Sequence, residues 1–348
     1  RVLEVVHDMY PQAPVYTSLY RPEALPDAYR SWDLRTSFLD RMPLARRRHQ
    51  LYLPWYPLAF ESFDLRGYDA VLSLTSGFGH GVITSAETAH LCYCLTPARF
   101  LWSYHAYIER EGVGRLARLA LQPTLKSLRQ WDRLAADRVD QFVAISRTVQ
   151  RRIQKVYRRD SSLIYPPIST DVGVSASEPD DYYLIVSRLV PYKRIDLAVR
   201  AFSKLGLPLR IIGDGRDRAI LKRMAAPNVS FLGFVGSDAE VREQMARCRA
   251  LVFPGEEDFG ITPLEAMSAG RPVVAYAAGG ALDTVVEGVT GTFFREPTPE
   301  SLAEAVLRME GLSCSPDVLQ AHAAKFGVAR FQRELDQALR DLIDRVRA

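Results

Sequence analysis

The second half of the chain alternates short apolar runs with amphipathic segments. Tyr182-Tyr-Leu-Ile-Val186, Leu209-Arg-Ile-Ile212, Val229-Ser-Phe-Leu232, Ala250-Leu-Val-Phe253, Pro272-Val-Val-Ala-Tyr276 and Gly291-Thr-Phe-Phe294 read as buried strands. Between them, apolar positions recur at helical spacing over 195–205, near 220–225, over 239–248, from 263 onward and near 281–286. This alternation predicts a parallel sheet with helices on both faces, a doubly wound domain that binds ligands at the carboxyl ends of its strands. The first half is less regular but of the same α/β kind. Strands are expected at 15–17, 70–74, 91–95 and 142–145, with a long polar helix over roughly 125–136. Paired prolines in Tyr165-Pro-Pro-Ile-Ser-Thr170 mark the boundary, because they stop regular structure and stiffen a linker. The expected domains are therefore 1–167 and 168–325, with an amphipathic helix over 326–348 packing back on the first. The chain opens with Val2, Val6 and Met9 at helical spacing, so it is read as starting inside a helix whose preceding strand is missing.

Composition narrows the class. A length of 348 residues suits two domains with their own cores, and 47% hydrophobic residues exclude a disordered chain. No apolar run reaches the roughly 20 residues of a membrane span, and no signal peptide is visible. Lys and Arg exceed Asp and Glu by 45 to 41, a surplus too small for a nucleic-acid coat. Cys92, Cys94, Cys248 and Cys314 form no CxxC pair and stand near no zinc-spaced histidines, so reduced thiols in the cytoplasm and no metal site are expected.

The most informative stretch is Phe253-Pro-Gly-Glu-Glu-Asp-Phe-Gly-Ile-Thr-Pro-Leu-Glu-Ala-Met267. It leaves a strand, crosses a loop and enters a helix, with Thr262 suited to the N-cap, Pro263 to the first helical position and Glu265 to a capping box. Such an N-terminus just beyond a strand suits a phosphate. Arg188 and Lys193 occupy the loop after the domain's first strand, where Arg forms a bidentate fork and Lys a point charge against a diphosphate. Gly213 and Gly215, then Gly279 and Gly280, would let backbone approach a ligand; no GxGxxG is present.

Two features of the first half add surfaces. His80, in Gly77-Phe-Gly-His-Gly81 after a strand, is expected to face an interdomain cleft. Arg46, Arg47 and Arg48 stand beside Trp55 in a cluster suited to an anionic membrane interface or a lipid-diphosphate acceptor, and six more basic residues run from Arg147 to Arg159.

Together these loops resemble the retaining family 4 glycosyltransferases of the GT-B fold, which carry two Rossmann-like domains facing a cleft. The resemblance rests on Ser187-Arg-Leu-Val-Pro-Tyr-Lys193, Ile212-Gly-Asp-Gly215, Val229-Ser-Phe-Leu-Gly-Phe234, Glu257-Asp-Phe-Gly-Ile-Thr-Pro-Leu-Glu265, Arg271-Pro-Val-Val274 and Gly279-Gly280. It implies sugar transfer from a nucleotide donor with no metal or other cofactor. Arg188 and Lys193 would hold the diphosphate, Glu257 would lie beside the sugar and Glu265 would bind the ribose. Backbone N–H groups of Phe259, Gly260, Ile261 and Thr262 would serve sugar and phosphate, with Gly213 and Phe234 near the base.

Within the family, Pro54-Trp-Tyr-Pro-Leu-Ala-Phe60, Cys92-Tyr-Cys-Leu-Thr-Pro-Ala-Arg99 and Ile164-Tyr-Pro-Pro167 resemble bacterial mannosyltransferases of polysaccharide assembly. That branch implies GDP-mannose as donor, a glycan or lipid-linked acceptor, and a cytoplasmic protein touching the inner membrane face. Its usual His before Thr-Pro is Leu95 here, with His105 as the substitute. The branch's opening strand and Gly-Gly loop would precede Arg1. Alternatives are UDP-glucose or a UDP-N-acetylhexosamine as donor, or a non-catalytic nucleotide-sugar-binding protein.

Overall fold

The computed structural model describes residues 1–103, 115–169 and 178–348. Two compact units result, one of Arg1–Ile164 with Gln332–Ala348, the other of Tyr165–Phe331.

The first unit holds a parallel pair, β1 (Val15–Thr17) and β2 (Leu34–Thr36). It also holds a parallel sheet of β3 (Ala70–Thr75), β4 (Ala89–Cys94), β5 (Gln141–Ala144) and β6 (Ser161–Leu163), in that order. Every residue of β4 is buried, which explains why His90 is its one strongly polar residue among Ala89, Leu91, Cys92, Tyr93 and Cys94. β2 and β6 escape sequence reading because Leu-Arg-Thr and Ser-Ser-Leu carry no apolar alternation; backbone pairing to a neighbouring strand creates them. The helix Arg115–Ala135 is longer than the polar segment expected. The helix Arg147–Tyr157 is capped by Ser146, whose hydroxyl accepts from the Val149 N–H. In the C-terminal helix Val328–Arg347, Asp336 accepts from Tyr10 at 2.9 Å, Arg345 donates to the Gln141 side chain, and Arg347 pairs with Asp69.

His90 is fully buried on β4, with Nε2 2.9 Å from the Ser73 hydroxyl. Burial pushes its imidazole down to about 3. An unfolded chain binds this proton near the ordinary pKa of about 6.5, so acid favours unfolding between that value and about 3. Stability is complete above about pH 6.5 and falls by up to about 1.4 kcal/mol per pH unit below it. His90→Asn is expected to flatten that part of the acid-melting profile; an unchanged slope in urea titrations at pH 4–6 would count against it.

The second unit carries a six-stranded parallel sheet of β7 (Tyr183–Val186), β8 (Leu209–Ile212), β9 (Val229–Gly233), β10 (Leu251–Phe253), β11 (Val273–Tyr276) and β12 (Gly291–Phe294). Their spatial order is β12-β11-β10-β7-β8-β9. The order reverses between β7 and β10, whose Leu184 and Leu251 are partners. Loops leaving the carboxyl ends of two such strands diverge and leave a crevice between them. The helix Ile195–Leu205 has the bounds its apolar spacing predicts, and with Pro299–Glu310 it buries Phe202, Leu302 and Val306 in the sheet's core. Cys92, Cys94 and Cys248 are buried and Cys314 is half-buried, and none of the four is joined in a disulfide among the described residues. Among the described residues no helix is long and apolar enough to cross a membrane.

Candidate active site

The β7–β10 crevice is lined by Ser187, Lys193, Gly255, Glu257 and Thr262. Lys193 ends a short 3-10 turn, Pro191–Lys193, after β7, and Glu257 lies in the loop after β10. Their side chains form an ion pair, the ammonium donating to Glu257 Oε1, with 14% and 24% of the two side chains exposed. Residues 64 positions apart thus meet where the strand order reverses. Exposed Arg188 sits in the same loop as Lys193, and its guanidinium donates to the Tyr192 hydroxyl at 2.7 Å. The Tyr192 ring also lies 5.3 Å from Lys193 Nζ, a cation–π distance. Sequence reading missed Tyr192; its only signal was an aromatic residue between Pro191 and Lys193.

The helix after β10 corrects the expected capping box. It runs Ile261–Ser268, and the cap position falls on Gly260 at φ 90°, which has no side chain to offer. The left-handed glycine packs against the Phe253 ring, where a Cβ would meet Phe253 Cζ at 3.3 Å. The turn therefore closes two residues earlier than a Thr262 cap would allow. Thr262 becomes the second helical residue and half-buried Glu265 the fifth, too far along to close a capping box. The helix start is left with no side-chain cap, and Thr262 of its first turn lines the crevice.

The glycines of these loops stand where neighbouring backbone comes close. A Cβ on Gly213, at φ 132°, would lie 1.9 Å from the Ser187 carbonyl oxygen; one on Gly280 would lie 2.2 Å from Phe259 Cα. The backbone these glycines admit is that of the neighbouring loop. Leu189 N–H donates to Asp214 at 2.9 Å and Gly280 N–H to Glu257 at 2.8 Å, so the β8 loop braces Arg188's loop and the β11 loop braces that of Glu257. Gly213 N–H donates to Gly233 at 2.7 Å, bringing Gly213 beside Phe234, whose side chain is 80% exposed. Phe259, by contrast, is buried against Tyr165 with ring centroids 5.6 Å apart, leaving only its backbone to face a ligand.

In the first unit His80 does not face solvent. It is 1% exposed, with Nε2 3.2 Å from the Asp132 carbonyl oxygen and 3.5 Å from its carboxylate. The Gly-rich turn there admits the Trp131 ring, which a Cβ on Gly81 would meet at 2.2 Å, and so folds His80 inward. His105 lies outside the described residues. Leu95 is half-buried, its N–H donating to Thr75 at 2.8 Å. Of the basic cluster, Arg46 is engaged by Asp40 through bonds of 2.9 and 2.6 Å, while Arg47, Arg48 and Trp55 are exposed. Arg159, from the second basic run, donates to the carbonyls of Ala136 and Val139 at 3.0 and 2.6 Å and is a brace within the fold. Among the described residues no three His, Cys, Asp or Glu side chains converge as a metal-ligand set.

Comparison with known proteins gives this architecture its class. The chain is similar to Alr3699/HepE of Anabaena, solved in complex with UDP and glucose, with a TM-score of 0.68, 17% identity and coverage of 97% of this chain and 95% of that one. It is similar also to the sucrose-phosphate synthase of Thermosynechococcus elongatus, with a TM-score of 0.67, 18% identity and coverage of 89% and 83%. Two α/β units on parallel sheets with these neighbours define the GT-B fold. Residues 170–325, within the second unit, match the family model for glycosyl transferases group 1. An uncharacterized glycosyltransferase of Methanocaldococcus jannaschii is 25% identical over 195 residues, 55% of each chain. The glycogen synthase of Pseudomonas aeruginosa is 35% identical over 152 residues, 41% of this chain and 29% of that protein. The chain thus spans about half, or less, of the length of these curated relatives.

Proposed function

We propose that the protein is a retaining, metal-independent glycosyltransferase that moves mannose from GDP-mannose to a glycan or lipid-linked saccharide acceptor. The observation that carries the reading is the meeting of Lys193 and Glu257 at the β7–β10 switch point, beside Arg188 and an uncapped helix N-terminus. In this reading the donor diphosphate, with more negative charge than one carboxylate, draws the Lys193 ammonium away from Glu257. Arg188 and Lys193 then hold the charge that builds on the departing phosphate, and the N–H groups of residues 259–262 add to that field. The freed Glu257 carboxylate faces the sugar and stabilises its oxocarbenium character. The anomeric C–O bond breaks toward the phosphate, the acceptor oxygen bonds on the same face, and its proton passes to the leaving phosphate oxygen. Glu265 takes the ribose hydroxyls, and exposed Phe234 beside Gly213 offers a stacking surface to the base.

A second reading takes UDP-glucose as donor, and the UDP and glucose bound by the Anabaena neighbour favour it. A thermal-shift panel of GDP, UDP, ADP and their sugar conjugates separates the two. A ligand at about 100 times its dissociation constant stabilises by roughly 2.7 kcal/mol. Stabilisation by GDP and GDP-mannose alone is expected. A shift confined to UDP compounds would replace mannose transfer by the second reading, and no shift from any of them would remove the donor site.

A further inference from the structure

The second unit has another concavity, which the proposed transfer chemistry does not use. It opens at the amino ends of the sheet, where Tyr183 begins β7, Arg249 precedes β10 and Arg271 precedes β11. Its volume is about 390 Å³, within the roughly 300–1,000 Å³ usual for small-molecule sites. A doubly wound sheet takes its ligand at the carboxyl ends of its strands, so the fold alone does not account for this space. The helix Ile261–Ser268, whose Thr262 lines the donor crevice, ends against the cavity at Ala269 and Gly270. Gly270, at φ 73°, lets the helix Pro316–Ala324 close one wall, since a Cβ there would meet Pro316 at 3.1 Å.

The polar groups of the wall are held in place and balanced in charge. Two arginines, Arg249 and Arg271, stand with two glutamates, Glu178 and Glu310. Arg249 donates to Asp181 at 2.8 Å and to Glu310, and Glu310 also accepts from the Tyr183 hydroxyl. Arg271 is 8% exposed, its Nε donating to the Ala246 carbonyl at 2.5 Å. The Arg249 and Glu310 side chains stay 35% and 30% exposed, and a guanidinium and a carboxylate so engaged have N–H donors and lone pairs to spare. Half-buried Gln320 adds an amide, donor and acceptor in one, and exposed Ser313 adds a hydroxyl. Neither has a hydrogen-bond partner among the described residues. Burial pushes the Cys314 thiol up, so it stays protonated at neutral pH and is a wall rather than a nucleophile.

We infer that this cavity binds one saccharide unit, its hydroxyls taken by Gln320, Ser313 and the outer edge of the Arg249–Glu310 pair, its C–H face by Met309 and Pro272. The chemistry selects this class over charged ligands. An anion or an ammonium group would have to pull Arg249 or Glu310 from its partner, whereas a hydroxyl accepts from one and donates to the other with the pair intact. An apolar ligand would strip water from the amide and the ion pair and return no hydrogen bond. Two sources carry this chemistry, a free sugar and the end of a glycan chain. The inference uses no donor-site residue, and its test reads binding rather than transfer.

The test is NMR of the full chain with isotope-labelled methionine methyls, titrated with mannose, glucose, mannotriose and maltotriose. Met309 stands in the cavity wall, and Met309→Leu assigns its signal. That signal is expected to shift saturably with sugar. Gln320→Ala is expected to weaken the binding about tenfold, through the lost amide hydrogen bonds. Ser313→Trp, which fills the mouth from an exposed position, is expected to abolish it. Both variants are expected to melt near the parent temperature, and Lys193→Ala to keep the sugar response in full. A response to the monosaccharides assigns a free sugar and one confined to the trisaccharides a chain end; either supports the inference. No response to any sugar would overturn it, as would a response that both cavity variants retain or that Lys193→Ala alone removes. So would a response to sodium phosphate or sodium glutamate in place of sugar, which would assign the cavity to a charged ligand.

Discussion

Lys193→Ala is expected to lower kcat for glycosyl transfer on the order of 10²–10³-fold, about 3–4 kcal/mol of transition-state stabilisation, with Arg188→Ala close behind. The size follows from where the charge sits. Lys193 stands at the switch point of the six-stranded sheet, largely enclosed, so its field on a developing phosphate charge is screened far less than that of a surface lysine. Removing it also takes the Lys193 ammonium from Glu257, whose charge then stands uncompensated where the proposed diphosphate would sit. Donor affinity therefore falls together with kcat, whereas a lysine acting only on the fold would move the melting temperature and spare the rate. The ion pair is partly exposed, so Lys193→Ala is expected to melt within a few degrees of the parent, on the order of 1 kcal/mol. Donor-dependent turnover measured beside a melting curve decides the matter. Near-parental turnover in both variants would overturn the phosphate assignment.

Asp132→Ala is expected to destabilise the first unit by about 3–5 kcal/mol. This carboxylate is wholly enclosed, and it accepts from Trp102 Nε1 at 2.6 Å and from the Tyr157 hydroxyl at 3.0 Å. Burial pushes its carboxyl above the ordinary carboxylate range, against the pull of His80, Trp102 and Tyr157. Burial likewise holds the Tyr157 phenol well above 10. Alanine leaves an indole N–H and a phenol without their acceptor in a space that water does not reach, which is what makes the loss large. Asp132→Asn keeps an acceptor oxygen at the same place and is expected to cost less than half as much. Urea unfolding of the two variants measures the difference. A loss under about 1 kcal/mol for Asp132→Ala would mean that water enters and replaces the carboxylate.

The same network shows why His80 was misread from its sequence. A histidine in a Gly-rich loop after a strand has the local look of a ligand-facing residue, and nothing within five positions of it says otherwise. Its partners, Trp131, Asp132 and Tyr157, lie more than 50 positions away, and only the folded chain turns the ring toward them. The loop glycines are ambiguous in a related way. Small residues at strand ends signal that backbone comes close, but the chain alone does not say whose backbone. At Gly213 and Gly280 it belongs to the neighbouring loop.

Much else was legible because it depends on local pattern. The β-branched runs of the second unit announce their strands, since a strand covered on both faces must be apolar throughout. The spacing over 195–205 announces its helix for a similar reason, one face being buried against the sheet. The chain by itself also places Arg188, Lys193 and Glu257 on loops at strand ends and Glu265 on the helix that follows the last of them. Tertiary structure decided how they are arranged. The strand order β10-β7 brings Lys193 onto Glu257, a left-handed Gly260 moves the helix start away from Thr262, and Tyr192 joins Arg188. Periodicity records which face of an element is buried, while the pairing of strands and the meeting of loops depend on long-range contacts that no local window of sequence contains.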